Sequence, residues 1–142
     1  MPLTFHANVP HWMRRMARRW CRVLGYLDWK VRFQRDTPED LLECAGYRED
    51  DNRDVLGLAT VTPEYLSAEL QFSETLTEAD AEEIVIHEIL HLHYEPFKLL
   101  WWQMWDGRRK IGKAQGQKML SDLVEASIER HIRQLQRARG KS

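Results

Sequence analysis

The repeat of apolar residues changes abruptly at Gly25, and that change limits the chain to folds that join a helix directly to a strand. Before it, Val9, Trp12, Met13, Met16, Trp20, Val23 and Leu24 recur at helical spacing, with Arg14, Arg15, Arg18, Arg19 and Arg22 in between. After it, Leu27, Trp29, Val31 and Phe33 alternate with Asp28, Lys30, Arg32 and Gln34, the pattern of a half-buried strand. Gly25 suits the left-handed residue that ends a helix. The spacing therefore predicts a helix over 9–24 and a strand over 27–34.

Further along, Leu41–Tyr47 reads as a second strand and Arg48–Asp54 as a charged turn. Leu56–Thr62 and Leu66–Phe72 read as two more strands joined through Pro63-Glu64. A helix should start after Thr77, a good N-cap, with Glu78, Asp80, Glu82 and Glu83 in its first turns. Pro96 is its expected stop. Trp101, Trp102, Met104 and Trp105 suggest a short helix that covers the core or walls a pocket, and residues 106–117, with three glycines, read as mobile. A last helix is expected over about 118–137, with Leu120, Leu123, Val124, Ile128, His131 and Leu135 on one side. The order is α+β: an N-terminal helix, a small sheet of three or four strands, a motif helix and a C-terminal helix.

The 142 residues make one domain (1–142) the simplest organisation. No apolar run reaches the length of a membrane span. The N-terminus has no secretory pattern, and Cys21 and Cys44 do not form a metal-binding spacing, so reduced thiols in a cytoplasmic protein are expected. The net charge of −1 conceals an uneven distribution: +7 over residues 1–35, −14 over 36–88 and +6 over 89–142. Solvated helix faces account for the basic ends most simply, and an anionic partner such as nucleic acid is the alternative.

The residues that carry chemistry are His87-Glu88-Ile89-Leu90-His91. On a helix, residues four apart lie about 40° from each other around the axis, so both imidazoles can address one ion. Glu88 falls about 100° from the first histidine, beside the ion's water, where a general base belongs. A catalytic zinc needs a third protein ligand. Candidates are Glu95, Asp106, Asp122, Glu125, Glu129, His93 and His131. His93 faces away from His91, and Glu125 lies at the border of the last helix's apolar side, from which a carboxylate can point inward.

His87-Glu88-Ile89-Leu90-His91-Leu92, the strands upstream and Val124-Glu125-Ala126-Ser127-Ile128-Glu129 on the final helix resemble the minimal gluzincin-type zinc metallopeptidases often encoded by phages and prophages. The resemblance spans roughly residues 27–137 and is specific in the motif helix. It implies a zincin-like fold, zinc on His87, His91 and Glu125, Glu88 as the catalytic base, and a peptide or protein substrate in a bacterial or phage-infected cell. It implies further that Glu129 supports a ligand histidine, a position where gluzincins more often carry Asp, and that a substrate strand pairs with the sheet edge next to the helix, for which Leu66–Phe72 is the candidate. Tyr94, Tyr65, Tyr47 and His131 are candidates for the group that steadies the oxyanion. Two other classes compete. One is a metallopeptidase-like fold that serves as a non-catalytic regulatory module. The other is a metal-dependent endoribonuclease, whose third histidine, six residues beyond the second, is here Phe97. Oligomeric state is left open by the sequence.

Overall fold

In a computed structural model the chain is α+β, with four α-helices and a four-stranded sheet; residues 3–26, 28–46, 55–105 and 113–140 are described. Contacts divide the chain into two compact units, Met1–Ile89 and Leu90–Ser142. Among the described residues no helix is long and apolar enough to cross a membrane.

The first unit begins with a strand that the sequence reading missed, β1 (Leu3–Phe5), too short to show alternation. Helix α1 (His11–Leu24) follows and ends as expected. Gly25 has φ +84°, its N–H donates to the Arg22 carbonyl, and the Tyr26 N–H donates to Cys21, a Schellman closure. The buried residues Met13, Ala17, Trp20 and Cys21 form the helix's inner face. Arg15, Arg18, Arg19 and Arg22 are exposed, as solvated positions should be.

Strand β2 (Lys30–Asp36) keeps the alternation read from the sequence: Val31 and Phe33 are buried, and Lys30 and Arg32 are exposed. Leu27 lies outside the described residues. The next element corrects the sequence reading. Residues Pro38–Cys44 form a helix, α2, where Leu41–Tyr47 was expected to be a strand. The local start signals decide this. Thr37 caps the helix by accepting the Asp40 N–H at 3.2 Å, Pro38 sits in the first turn, and Glu39 and Asp40 supply negative charge there. Only Leu41 on this helix is buried. The expected turn at Arg48–Asp54 lies outside the described residues, as does Tyr47.

Strands β3 (Gly57–Thr62) and β4 (Ser67–Ser73) are antiparallel, joined through a short turn of helix at Pro63–Tyr65. The sheet order is β1-β2-β4-β3, with β1, β2 and β4 parallel. Pairing with β2 on one side and β3 on the other puts β4 inside the sheet. The exposed edge beside β4 is therefore β3, and the expectation that Leu66–Phe72 is an edge strand is overturned.

The register aligns Phe5 with Phe33 and Phe33 with Leu70. Phe33 stacks on Phe5 at 5.0 Å and on Phe72 at 6.3 Å between ring centres, so one face of the sheet carries an aromatic core. Arg35 finishes that face. Its Nη2 donates to the carbonyls of Ser73 and Leu76, which ties the end of β2 to the turn leading into the motif helix.

Helix α3 runs from Glu78 to Trp105, through Pro96. This corrects the expected stop. Proline removes the N–H that would reach the Leu92 carbonyl, a cost of about 3 kcal/mol, but no glycine cap follows until Gly107 and the helix continues. The backbone of Trp101–Trp105 belongs to α3, and the side chains of the tryptophan cluster lie outside the described residues.

The second unit holds the end of α3 and α4 (Lys113–Gly140). Residues 113–117, expected to be mobile, are helical, and Gly116 is buried within that helix. Residues 106–112 lie outside the described set. Leu120, Val124, Ile128 and Ile132 form the buried side of α4, and Leu123, assigned to that side from the sequence, is 61% exposed.

Candidate metal centre

Helical periodicity alone places His87 and His91 one turn apart on α3, both half-buried, while Val85, Ile86, Ile89 and Leu90 are buried. Glu125 comes from α4, and its Oε1 lies 3.2 Å from Nε2 of His91. His87, His91 and Glu125 each offer one ligand atom, and these atoms all lie within 4.8 Å of one another. The donor set suits zinc: two imidazoles and one carboxylate are a known catalytic combination. Bonds of about 2.0–2.1 Å in tetrahedral geometry put neighbouring ligand atoms about 3.3 Å apart, close to the separation already present between His91 and Glu125.

Glu88 differs from these three in its surroundings. It is 6% exposed, a buried acid on a helix whose neighbouring positions are apolar. A Cβ placed on Gly57 would fall 2.9 Å from both Cγ and Oε1 of Glu88, well inside van der Waals contact. The start of β3 can therefore approach the carboxylate so closely only because residue 57 lacks a side chain. The sequence reading did not single out Gly57. A lone glycine opening a strand was its only signal, and such a residue often marks a close approach to the backbone.

The other sequence candidates separate clearly. Glu95, proposed as one of several third ligands, reaches His91 from the opposite side, with Oε1 3.2 Å from Nδ1. Its other oxygen is 3.9 Å from Nζ of Lys98. His93 is exposed and makes ring contacts with Tyr94, Phe97 and His131. Asp122 is exposed, Glu129 is half-buried one turn beyond Glu125, and Asp106 lies outside the described residues.

Among the oxyanion candidates, Tyr65 is 79% exposed and Tyr47 lies outside the described residues. Tyr94 and His131 form a pair, with the phenol oxygen 3.4 Å from Nδ1. Desolvation, and then the nearby charge of His93, lower the pKa of His131 below its ordinary value, so the ring is neutral near pH 7. A neutral ring in the right tautomer can accept the Tyr94 hydroxyl.

A shallow cavity of about 530 Å³ opens on the polar face of the sheet and involves none of the motif residues. Thr4, Arg32, Glu69 and Thr60 form one cross-strand row there, and Lys30, Ser67 and Thr62 form the next. One pair of opposite charges, Arg32 and Glu69, sits side by side in the first row, as in an ordinary solvated sheet surface.

Compared with known proteins, the chain matches no family model, no curated protein and no solved structure.

Proposed function

We propose that this chain is a zinc-dependent peptide hydrolase that holds its ion with His87, His91 and Glu125 and uses Glu88 as the catalytic base. The observation that carries the reading is the approach of Glu125, 34 residues away in sequence, to the imidazole of the motif's second histidine at 3.2 Å. A bound zinc ion supplies Lewis acidity, which makes a water easier to deprotonate and polarises a carbonyl. Glu88 takes the proton of the attacking water and returns it to the departing amine. Burial keeps that carboxylate apart from bulk water, and the close backbone at Gly57 limits where it can swing. Of the three proposed ligands Glu125 is the most exposed.

Among the described strands the edges are β1 and β3, and β3, whose Gly57 lies against Glu88, is the one that suits an extended peptide. The endoribonuclease reading gains no support, because Phe97 stands where its third histidine belongs and is 62% exposed. The non-catalytic reading has no specific observation in its favour among the described residues.

The test pairs zinc stoichiometry with cleavage of casein and a peptide library. Wild type should bind one zinc ion and cleave. Glu88→Gln should keep the zinc and lose about 10²–10⁴-fold in turnover. Glu125→Ala should lose zinc affinity and activity together. Cleavage that survives Glu88→Gln, or zinc binding unaffected by Glu125→Ala, would falsify the assignment.

A further inference from the structure

The ring of His91 lies between two carboxylates, one at each nitrogen. Nδ1 faces Glu95 at 3.2 Å and Nε2 faces Glu125 at 3.2 Å. A carboxylate can only accept, so each contact calls for a proton on the nitrogen it faces, and a ring that gives Nε2 to an ion keeps its proton on Nδ1. We propose that Glu95 is the positioning residue of His91: it takes the Nδ1–H bond, fixes the ring's tautomer and leaves the Nε2 lone pair facing Glu125. This rests on the metal-centre reading for its purpose, but the tautomer itself can be observed without metal.

Three features favour Glu95 over Glu125 as the acceptor. Glu95 is four residues after His91 on the same helix, so helical geometry alone brings the groups together. Its side chain is 24% exposed against 50% for Glu125, so water competes less for its oxygens. Lys98, three residues further on, lies 3.9 Å from the second oxygen, Oε2, leaving Oε1 for the ring. Lys98, Glu95 and His91 thus form a relay along one stripe of α3. Histidines that ligate metals almost always donate their other N–H to such a partner, which fixes the tautomer and makes the ligating nitrogen more basic.

The sequence reading expected support for a ligand histidine from Glu129 and placed Glu95 among the third-ligand candidates. Glu95 meets the nitrogen opposite the one that faces Glu125. It is therefore a partner of the ring and not of the ion.

The experiment uses ¹⁵N-histidine-labelled full-length protein, first without metal and then titrated with zinc. Two-bond ¹H–¹⁵N correlations report which nitrogen of His91 carries the proton. Wild type, Glu95→Gln, Glu95→Ala and Lys98→Ala are compared, with circular dichroism to confirm that each is folded. Wild type should carry a proton on Nδ1, and zinc should leave Nδ1 as the one protonated ring nitrogen. Glu95→Ala should shift the ring towards Nε2–H and weaken zinc binding about 10–100-fold. Glu95→Gln, whose amide oxygen still accepts, should restore the tautomer and part of the affinity, and Lys98→Ala should have the smallest effect. An unchanged tautomer in Glu95→Ala, or zinc on Nδ1 in wild type, overturns the proposal. A tautomer shift in a protein that binds no zinc supports the role of Glu95 and rejects the metal centre.

Discussion

Glu88, the proposed base, and Glu125, a proposed ligand, have contrasting surroundings. Glu88 is buried in the first unit and confined by the backbone of β3 at Gly57, within a sheet whose aromatic side chains stack in register. Glu125 stands half-exposed in the second unit, on a helix where Met119 and Leu123 are also exposed. The contrast follows the work assigned to each. A proton carrier must hold its position relative to the reacting atoms, so a close-packed sheet edge suits it. A metal ligand only has to reach the ion and can stay at the surface once its partner ring is oriented. Packing sets both positions: β3 presses on Glu88, and the approach of α4 to His91 places Glu125.

The contrast breaks down if the two units respond alike to truncation. Phe33 is completely buried between Phe5 and Phe72, and Phe33→Ala should cost about 3–5 kcal/mol in urea unfolding. Leu123→Ala, at a 61% exposed position, should cost no more than about 0.5 kcal/mol by the same measurement. Comparable losses from both would show that α4 is as tightly packed as the sheet.

A single methyl group sharpens the point at the centre. Gly57→Ala places a carbon where the Glu88 carboxylate lies and should displace that side chain by up to about 1 Å, lowering turnover roughly 10²-fold. Zinc affinity should stay near wild type, since His87, His91 and Glu125 are untouched. Equal loss of zinc and turnover would mean that Gly57 supports the fold and not the base.

The smallest expected effect is electrostatic. His131 has its pKa lowered by desolvation and by His93, so the unfolded chain takes up this proton at a higher pH than the folded one does. Its neutral form favours folding above about pH 6.5, and that advantage declines as pH falls through the lowered native value. An NMR titration should place the His131 midpoint below 6.5, the ordinary histidine value. A midpoint at or above 6.5 would remove the reason to regard the ring as a neutral acceptor for Tyr94.

How far the sequence could be read depended on the range of the signal. The end of α1 at Gly25 and the alternation in β2 were legible because both follow from backbone geometry over a few residues. Helix α2 has a local signal too, the cap and first turn Thr37-Pro38-Glu39-Asp40, which a strand over Leu41–Tyr47 leaves out of account. Pro96 misled in the other direction. A helix can absorb a single lost hydrogen bond when no cap follows to end it. The three-residue β1 gave no pattern at all, and the parallel pairing of β2 with β4, which makes β4 an inner strand, leaves no local mark in the sequence.

By itself the sequence determined that His87, Glu88 and His91 project from one helix with both histidines on a common side, because the repeat of an α-helix is set by hydrogen bonds four residues apart. The same local rule put Glu95 within reach of His91. Only the tertiary structure decided that Glu125, among seven candidates, is the acid at Nε2, and that β3 is the edge whose Gly57 presses on Glu88. Those contacts span 34 and 31 residues of chain. They depend on how buried faces pack, which no short stretch of sequence encodes.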